Sequence, residues 1–421
     1  MGATPQQAYV WVWLPGAVDP VVAGRLRADG EVLTFTYGRS YLERPDAVPL
    51  YLPELPLRRG TIAPRPPLAV AGCLRDAAPD AWGQRVILAR HVGRLGPGHD
   101  TASLGLLSYL LESGSDRIGA LDFQTDASRY VPRLQRAELE ELFTAAARLD
   151  AGEALPTELA QALLHGTSIG GARPKALLHD TGSGALLIAK FSTASDPYPV
   201  VKAEAVAMDL ARRVGLDVAA TSLTRCLGRH VLLVERFDRR REPHGVTRRM
   251  LVSALTLFGL DELAARWATY GELADLIRAR FTAPDATLRE LFGRIVFNVC
   301  ISNTDDHARN HAAFFDPRPG GVDLTLTPAY DLCPQPRSGH TANQAMAIDR
   351  GGRRASRLRL CRESAALYHL TDAEAADIIE HQLTVIGEQW PDAAERAELT
   401  AVERAALWGR QILNPAIHFD D

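Results

Sequence analysis

The chain has 421 residues, 46% of them hydrophobic and 23% charged, with a formal net charge of -4. That length fits two or three domains with cores large enough to dispense with disulfides, and the charge balance excludes a basic, chain-wide nucleic-acid binder, leaving room only for a local basic patch. Five widely spaced cysteines, none in a CxxC pair, argue against a disulfide scaffold and fit a reducing, cytoplasmic compartment. In chain order, YVWVWLP at 9–15 predicts a strand, and GRLRADGEVLTFTYG predicts strand, turn at Ala28–Asp29–Gly30, strand. The N-terminal MGATPQQAYVWVWLPG lacks a basic region followed by a long apolar segment, so no signal peptide is expected. Nor does any run of about 18 apolar residues predict a membrane span.

Residues 46–70, rich in Pro and Leu, read as loop. LRDAAPDAWGQRV reads as a turn leading into a helix, 100–115 as a Leu-rich helical stretch, and GALDF at 119–123 as a strand. Residues 136–149 and 156–165 carry Leu and Ala at helical spacing. From 165 to 191, HGTSIGGARPKALLHDTGSGALLIAKF predicts a loop, a strand over 175–179, a turn at Thr181–Gly182–Ser183–Gly184 and a strand over 185–191. VKAEAVAMDLARRV, 201–214, consists largely of strong helix formers. RHVLLVERFD at 229–238 is a strand ending in charge, and beyond 250 the chain is mainly helical, interrupted at 321–331.

Chemistry concentrates in three places. SIGG at 168–171 offers small side chains and backbone N–H groups at 169–172 able to cradle phosphate oxygens. It matches neither GxxxxGK[ST] nor GxGxxG and is weak alone. Lys190 ends the strand LLIAK, where its point charge would suit an α/β-phosphate. Glu204, 14 residues later on a predicted helix, would hold that ammonium by an ion pair. Taken singly, a strand-end lysine is more often simply exposed and a helix glutamate simply solvated.

The third place, NVCISNTDDHARNHAAFF at 298–315, is more specific. Asp305 and Asn310 are five apart, the interval of HRDxxxxN in protein kinases, where the Asp handles the acceptor proton and the Asn binds metal. Asp331 in LTPAYDLCP then takes the place of the metal-binding Asp of DFG. Two hard oxygen ligands from different loops suit Mg²⁺. The HRD and DFG strings are absent, so order, spacing and strand context carry the reading. His307 and His311, with Asp305 or Asp306, form an alternative zinc set, but there is no HExxH and Cys300 has no suitably spaced partner. A polar turn closed by its own hydrogen bonds is the plainer alternative, and Asp306 has no assigned role.

The whole series resembles the HipA-type serine/threonine kinase toxins of bacterial type II toxin–antitoxin systems, through VWLPG, LTFTYGRSYL, LRDAAPDAWGQR, GALDF, SIGGARPKALL, LLIAKF, VERFDR, NTDDHARN and LTPAYDL in order. The resemblance spans nearly the whole chain. It implies an α+β, bilobal protein-kinase-like fold: a family-specific N-terminal α+β subdomain at 1–125, a kinase N-lobe with nucleotide loop at 126–240, and a mainly helical C-lobe at 241–421. By motif, Ser168 matches the family's autophosphorylated serine, and Ile169, Gly170 and Gly171 its nucleotide loop. Lys190 matches the phosphate-contacting lysine, and Glu204 the glutamate of the next helix. Glu235 and Phe237 match the adenine-receiving connection between lobes. Asp305 matches the catalytic aspartate, His307 its neighbour in the nucleotide site, and Asn310 and Asp331 the Mg²⁺ ligands. Arg173, Pro174 and Arg309 depart from family members at loop positions without removing an essential group. The resemblance further implies ATP as cofactor and a HipB-like helix-turn-helix antitoxin as partner. DNA contact would be mainly indirect, through that complex. The protein substrate would be glutamyl-tRNA synthetase or another aminoacyl-tRNA synthetase, and no membrane is involved. A small-molecule or lipid kinase of the same fold, and a kinase-like interaction scaffold, are the competing expectations.

Overall fold

The structure is a computed structural model that describes residues 4–93, 100–133, 138–153, 156, 159, 163, 173–180, 182, 184–193, 196–318, 321–337 and 339–419. Contacts divide the chain into two compact units. The first comprises 1–194, 225–252 and 314–322; the second comprises 195–224, 253–313 and 323–421.

The first unit opens with a five-stranded sheet of order β4-β3-β2-β1-β5, built from β1 (Gln7–Val12), β2 (Val21–Asp29), β3 (Val32–Tyr37), β4 (Thr61–Ile62) and β5 (Leu121–Gln124). The β-branched and aromatic residues of the YVWVW run supply its strand propensity. Ala8, Val10 and Val12 are fully buried. GALDF pairs antiparallel with β1, Val10 opposite Phe123 and Val12 opposite Leu121. Helix α1 (Ala81–Val92) begins at Asp80, whose Oδ1 accepts from the Gly83 N–H at 2.8 Å and so satisfies one of the helix's open donors. Helices α2 (Leu106–Glu112) and α3 (Leu139–Asp150) follow, and α3 opens with a Glu138/Glu141 capping box.

Three antiparallel strands of a second sheet, β6 (Lys175–His179), β7 (Leu186–Phe191) and β8 (Arg229–Glu235), complete this unit's core. Ala176, Ala189, Phe191 and Val231 pack with Trp82, Val86, Leu142 and Phe143, and Phe143 meets Phe191 edge-on at 5.3 Å. Because α1, α3 and the second sheet share one apolar cluster, truncating Phe191 to Ala would cost about 3–5 kcal/mol. A hairpin of β9 (Arg239–Glu242) and β10 (Gly245–Arg248) follows β8.

The second unit is mainly helical: α4 (Val200–Arg213), α5 (Tyr270–Arg280), α6 (Pro284–Cys300), α7 (Asp372–Arg396) and α8 (Ala401–Leu407). Pro284 starts α6 where its missing N–H is not needed. Thr371 with Glu374, and Thr400 with Glu403, cap α7 and α8 reciprocally. Strand β12 (Gly321–Leu326) falls within the expected interruption at 321–331, whereas β11 (Ala312–Arg318) stands where the chain was expected to be mainly helical. The apolar run AAFF has no period-two alternation to announce a strand. Among the described residues, no helix is long and apolar enough to cross a membrane.

Candidate active site

In the first unit, register fixes where the strand residues point. Lys190 lies opposite both Lys175 and Leu232, so these three share a sheet face, while Glu235 lies opposite Leu187 on the other. Ala189 and Phe191, flanking Lys190, are buried and turn into the core. Lys190 itself is half-buried on the face away from that cluster. Lys175 has a different fate. It is 2% exposed, and its Nζ donates to Asp80 Oδ2 at 2.7 Å, so one carboxylate both caps α1 and neutralises a buried ammonium. Glu235 is exposed at the end of β8, and the half-buried Phe237 meets Phe314 edge-on at 5.8 Å. Ser168, Ile169, Gly170 and Gly171 lie outside the described residues.

The segment after β8 is held by a buried ionic cluster. Asp238 Oδ2 accepts from the Gly119 N–H at 2.7 Å, from Arg236 at 2.8 Å and from Arg239 at 2.9 Å. Asp116 pairs with the same two arginines at 3.1 and 2.7 Å. Burial alone would raise the Asp238 pKa; Arg236 and Arg239 outweigh it and hold the carboxylate below its ordinary value.

In the second unit, Glu204 is 4% exposed, on the buried side of α4, and is not the solvated helix residue its type suggests. The loop after α6 is closely knit. The helix ends through Ser302 in a left-handed conformation (φ 53°), and the Ser302 hydroxyl donates to the Gln411 carbonyl at 2.6 Å. Asn303 returns to the helix, its N–H to the Asn298 carbonyl at 2.8 Å and its Nδ2 to Asn298 Oδ1 at 2.9 Å.

Asp306 then points inward, 2% exposed. Its Oδ2 accepts from the Tyr270 hydroxyl at 2.5 Å, from Asn298 Nδ2 at 2.8 Å and from His311 Nε2 at 2.8 Å. Burial would raise its pKa, but the His311 imidazole and these hydrogen bonds outweigh that and lower it. The Tyr270 hydroxyl is pushed well above its ordinary value by burial and by Asp306, so it remains a donor. His311, one member of the alternative zinc set, thus spends Nε2 on Asp306. Among the described residues no group of three or more His, Cys, Asp or Glu is placed to hold a metal ion.

With Asp306 anchored, its neighbour Asp305 turns outward and is exposed. Its pKa is raised, first by partial desolvation and then by the charges of Asp331 and Asp306, against the opposing pull of His307. Asn310 closes the turn: its N–H donates to the His307 carbonyl at 2.8 Å and its Nδ2 to the Asp305 carbonyl at 3.3 Å, which leaves Oδ1 as the acceptor. The Asp331 segment is fastened separately. The Ala219 N–H donates to the Ala329 carbonyl at 3.0 Å and the Ala329 N–H to the Asp217 carbonyl at 2.8 Å. The Tyr330 hydroxyl donates to the Arg309 carbonyl at 2.7 Å, tying this strand end to the Asp305 loop. Asp331 itself is left-handed (φ 60°), a conformation Asp tolerates better than most residues.

The second unit therefore brings together Asp305, His307, Asn310 and Asp331, whereas Lys190, Glu235 and Phe237 belong to the first unit. Chemically, the first set is a pair of mutually repelling carboxylates beside a neutral amide oxygen. Such a hard-oxygen set fits Mg²⁺, which takes one or two carboxylates and leaves its other positions to water and phosphate. Sequence reasoning singled out neither Tyr270 nor Asn298, left Asp306 without a role and weighed His311 only as a zinc ligand.

The HipA N-terminal domain family matches residues 12–124, and the HipA-like C-terminal domain family matches residues 167–390. A Sinorhizobium fredii protein named "Putative kinase Y4mE" is 28% identical over 318 residues, covering 71% of each chain. Among solved structures, the toxin–antitoxin complex of HipA, HipB and operator DNA from Shewanella oneidensis MR-1 contains a chain of the same fold. The match has a TM-score of 0.66 at 19% identity and covers 98% of this chain and 100% of that one.

Proposed function

Since the chain belongs to the HipA family of type II toxin–antitoxin kinases, we propose that it transfers phosphate from ATP to serine or threonine of a protein, with Mg²⁺ as cofactor. The observation that carries the reading is the outward Asp305 beside Asn310 and Asp331, on a loop made rigid by Asp306. Asp305 orients the acceptor hydroxyl and accepts its proton; the elevated pKa is in the direction that helps a carboxylate take up a proton. Asn310 and Asp331 hold Mg²⁺, which when bound neutralises charge on the ATP phosphates. Lys190 places its ammonium against those phosphates, with Glu204 as its partner. Glu235 and Phe237 receive the adenine, Ile169, Gly170 and Gly171 cradle the phosphates, and His307 shapes the nucleotide site. Almost all of the rate acceleration then comes from position and charge.

Segments 1–125, 126–240 and 241–421 serve as family N-terminal subdomain, nucleotide lobe and acceptor lobe. Ser168 is the autophosphorylation site: about -1.5 to -2 added charges beside the phosphate loop would disfavour ATP. The partner is a HipB-like helix-turn-helix antitoxin that brings DNA contact with it, and the acceptor is an aminoacyl-tRNA synthetase, glutamyl-tRNA synthetase first among candidates. The site of action is the cytoplasm.

Radiolabelled ATP incubated with purified glutamyl-tRNA synthetase, whole-cell protein and small hydroxylated metabolites tests this. Label on protein serine or threonine, lost in Asp305→Ala, is expected. Label only on small molecules would favour a metabolite kinase, and no transfer at all a scaffold. Mass spectrometry of the same reaction reads Ser168; an unmodified Ser168 in active enzyme would end that part of the proposal.

A further inference from the structure

In the second unit, the segment between the short helix Ala254–Phe258 and α5 carries a 3₁₀ turn, Ala264–Trp267, with two large apolar side chains in solvent. Leu263 is 81% exposed and Trp267 67%, the most exposed leucine and tryptophan among the described residues. A single exposed apolar residue is ordinary. This pair, however, is held in place. The Ala264 N–H donates to Asp261 Oδ1 at 2.7 Å, Arg354 Nη2 donates to the Arg266 carbonyl at 2.6 Å, and Ala268, next to Trp267, is fully buried.

The same segment is fastened on both sides to the loop that presents Asp305. Before the turn, the Leu255 N–H donates to the Ala308 carbonyl at 3.2 Å, and Arg309 Nε donates to the two carboxylate oxygens of Glu262 at 2.9 and 3.1 Å. After it, the Tyr270 hydroxyl holds Asp306 Oδ2. Arg309 itself lies within the turn that Asn310 closes onto the Asp305 carbonyl. Leu263 and Trp267 therefore border the outward Asp305 on ground tied to its own loop. Size then decides what covers them. A specific protein interface takes up about 800 Å² on each partner, a disc of about 16 Å radius. A protein that brings a hydroxyl to Asp305 spreads that footprint over the surface bordering the loop; a small hydroxylated metabolite does not. Tryptophan is among the residues that dominate binding in such footprints, and the exposed Glu262 and Arg266 supply a polar rim.

We propose that Leu263 and Trp267 form the docking surface for the protein acceptor, which lays apolar side chains from around its serine or threonine against them. The inference rests on the reading of Asp305 as the group that meets the acceptor hydroxyl. It adds a place on this chain where a protein is told apart from a small hydroxylated molecule. The contact is the same in the ground state and the transition state, so it sets the KM for the acceptor and not kcat.

The test is label transfer from ATP by the full chain, with purified glutamyl-tRNA synthetase as acceptor and dilute whole-cell protein in parallel. Leu263→Ala combined with Trp267→Ala should raise the KM for the synthetase about tenfold or more, or lower labelling of the dilute whole-cell protein by as much. The kcat at saturating acceptor and the KM for ATP should stay as in wild type. Trp267→Phe, which keeps an aromatic ring, should recover most of the loss. Both side chains are exposed, so the Tm of the double variant should not fall. If wild type labels no protein at all, the proposed function fails and this inference with it. If wild type labels protein and the double variant does so with unchanged KM, or with a loss confined to kcat, only the docking surface is overturned. The same holds if KM is unchanged while the double variant loses a co-expressed helix-turn-helix antitoxin or a homodimer, which would assign the turn to that partner.

Discussion

The Tyr270 hydroxyl lies 2.5 Å from Asp306 Oδ2 and joins α5 to the loop that follows α6. Two further donors, Asn298 and His311, reach the same oxygen. Tyr270→Phe removes a single charge-assisted hydrogen bond and should lower stability by about 1.5–3 kcal/mol. Asp306→Ala strands three buried donors and should cost about 3–5 kcal/mol. Urea denaturation reads both. A Tyr270→Phe protein as stable as wild type would show that the network does not carry the loop.

Asp305 should leave a signature in the pH dependence of stability. Its folded-state pKa is raised, so the folded protein holds that proton more tightly than the unfolded chain does. The favourable contribution is therefore present in acid, below the ordinary Asp value, and is lost as pH rises through the elevated folded value. At neutral pH, in metal-free protein, Asp305→Asn should unfold at a higher temperature than wild type. The gap should close as pH falls through the carboxylate range. Added Mg²⁺ should also narrow it, by screening the repulsion between Asp305 and Asp331.

Asp331 should separate from Asp305 in kinetics. Asp331→Asn removes a carboxylate that helps hold the cation, so its deficit should shrink as Mg²⁺ is raised. Asp305→Asn should stay impaired at every Mg²⁺ concentration. Each is expected to lose about 10²-fold or more in kcat/KM, the scale seen when one preorganised electrostatic group is removed. Measuring initial rates across a Mg²⁺ series distinguishes the two, and identical Mg²⁺ dependence would remove the distinction drawn between them.

In the first unit, Asp238→Ala should destabilise by about 3–5 kcal/mol, since it leaves buried Arg236 and Arg239 short of an acceptor and the Gly119 N–H unpaired. By contrast, Arg39→Ala should change stability by about 0–1 kcal/mol, because its pair with Glu43 is exposed. Chemical denaturation of the two variants side by side checks the contrast.

What could be read from the sequence was largely local. The strands at 175–179 and 229–235, the helix over 201–214 and the GALDF strand announce themselves through β-branched runs, helix formers and turn residues, and the structure places elements at each. The interval from Asp305 to Asn310 was equally visible, because a single turn spans it. Asp306 was opaque for the opposite reason. Its partners come from positions 270, 298 and 311, and nothing within its own turn distinguishes an inward carboxylate from an outward one. Lys175 and Asp80 show the same limit: 95 residues separate them, and each sits in a short motif that gives no sign of the other. For Glu204 the sequence left a covered and a solvated position both open, because helical spacing alone does not say which neighbours cover a face.

The bond from the Gly119 N–H to Asp238 also bears on how little of the molecule can stand alone. Arg236 and Arg239 draw on the carbonyls of Arg117 and Gly119 as well. A shortened polypeptide beginning after residue 125 would retain Lys190 and the Asp305, Asn310 and Asp331 motifs, yet Arg236 and Arg239 would lose Asp116 and the carbonyls of Arg117 and Gly119, and Asp238 would lose the Gly119 N–H. The N-terminal stretch is thus an internal scaffold for the segment that follows β8, and its loss should surface as aggregation during synthesis before any enzymatic defect could be measured.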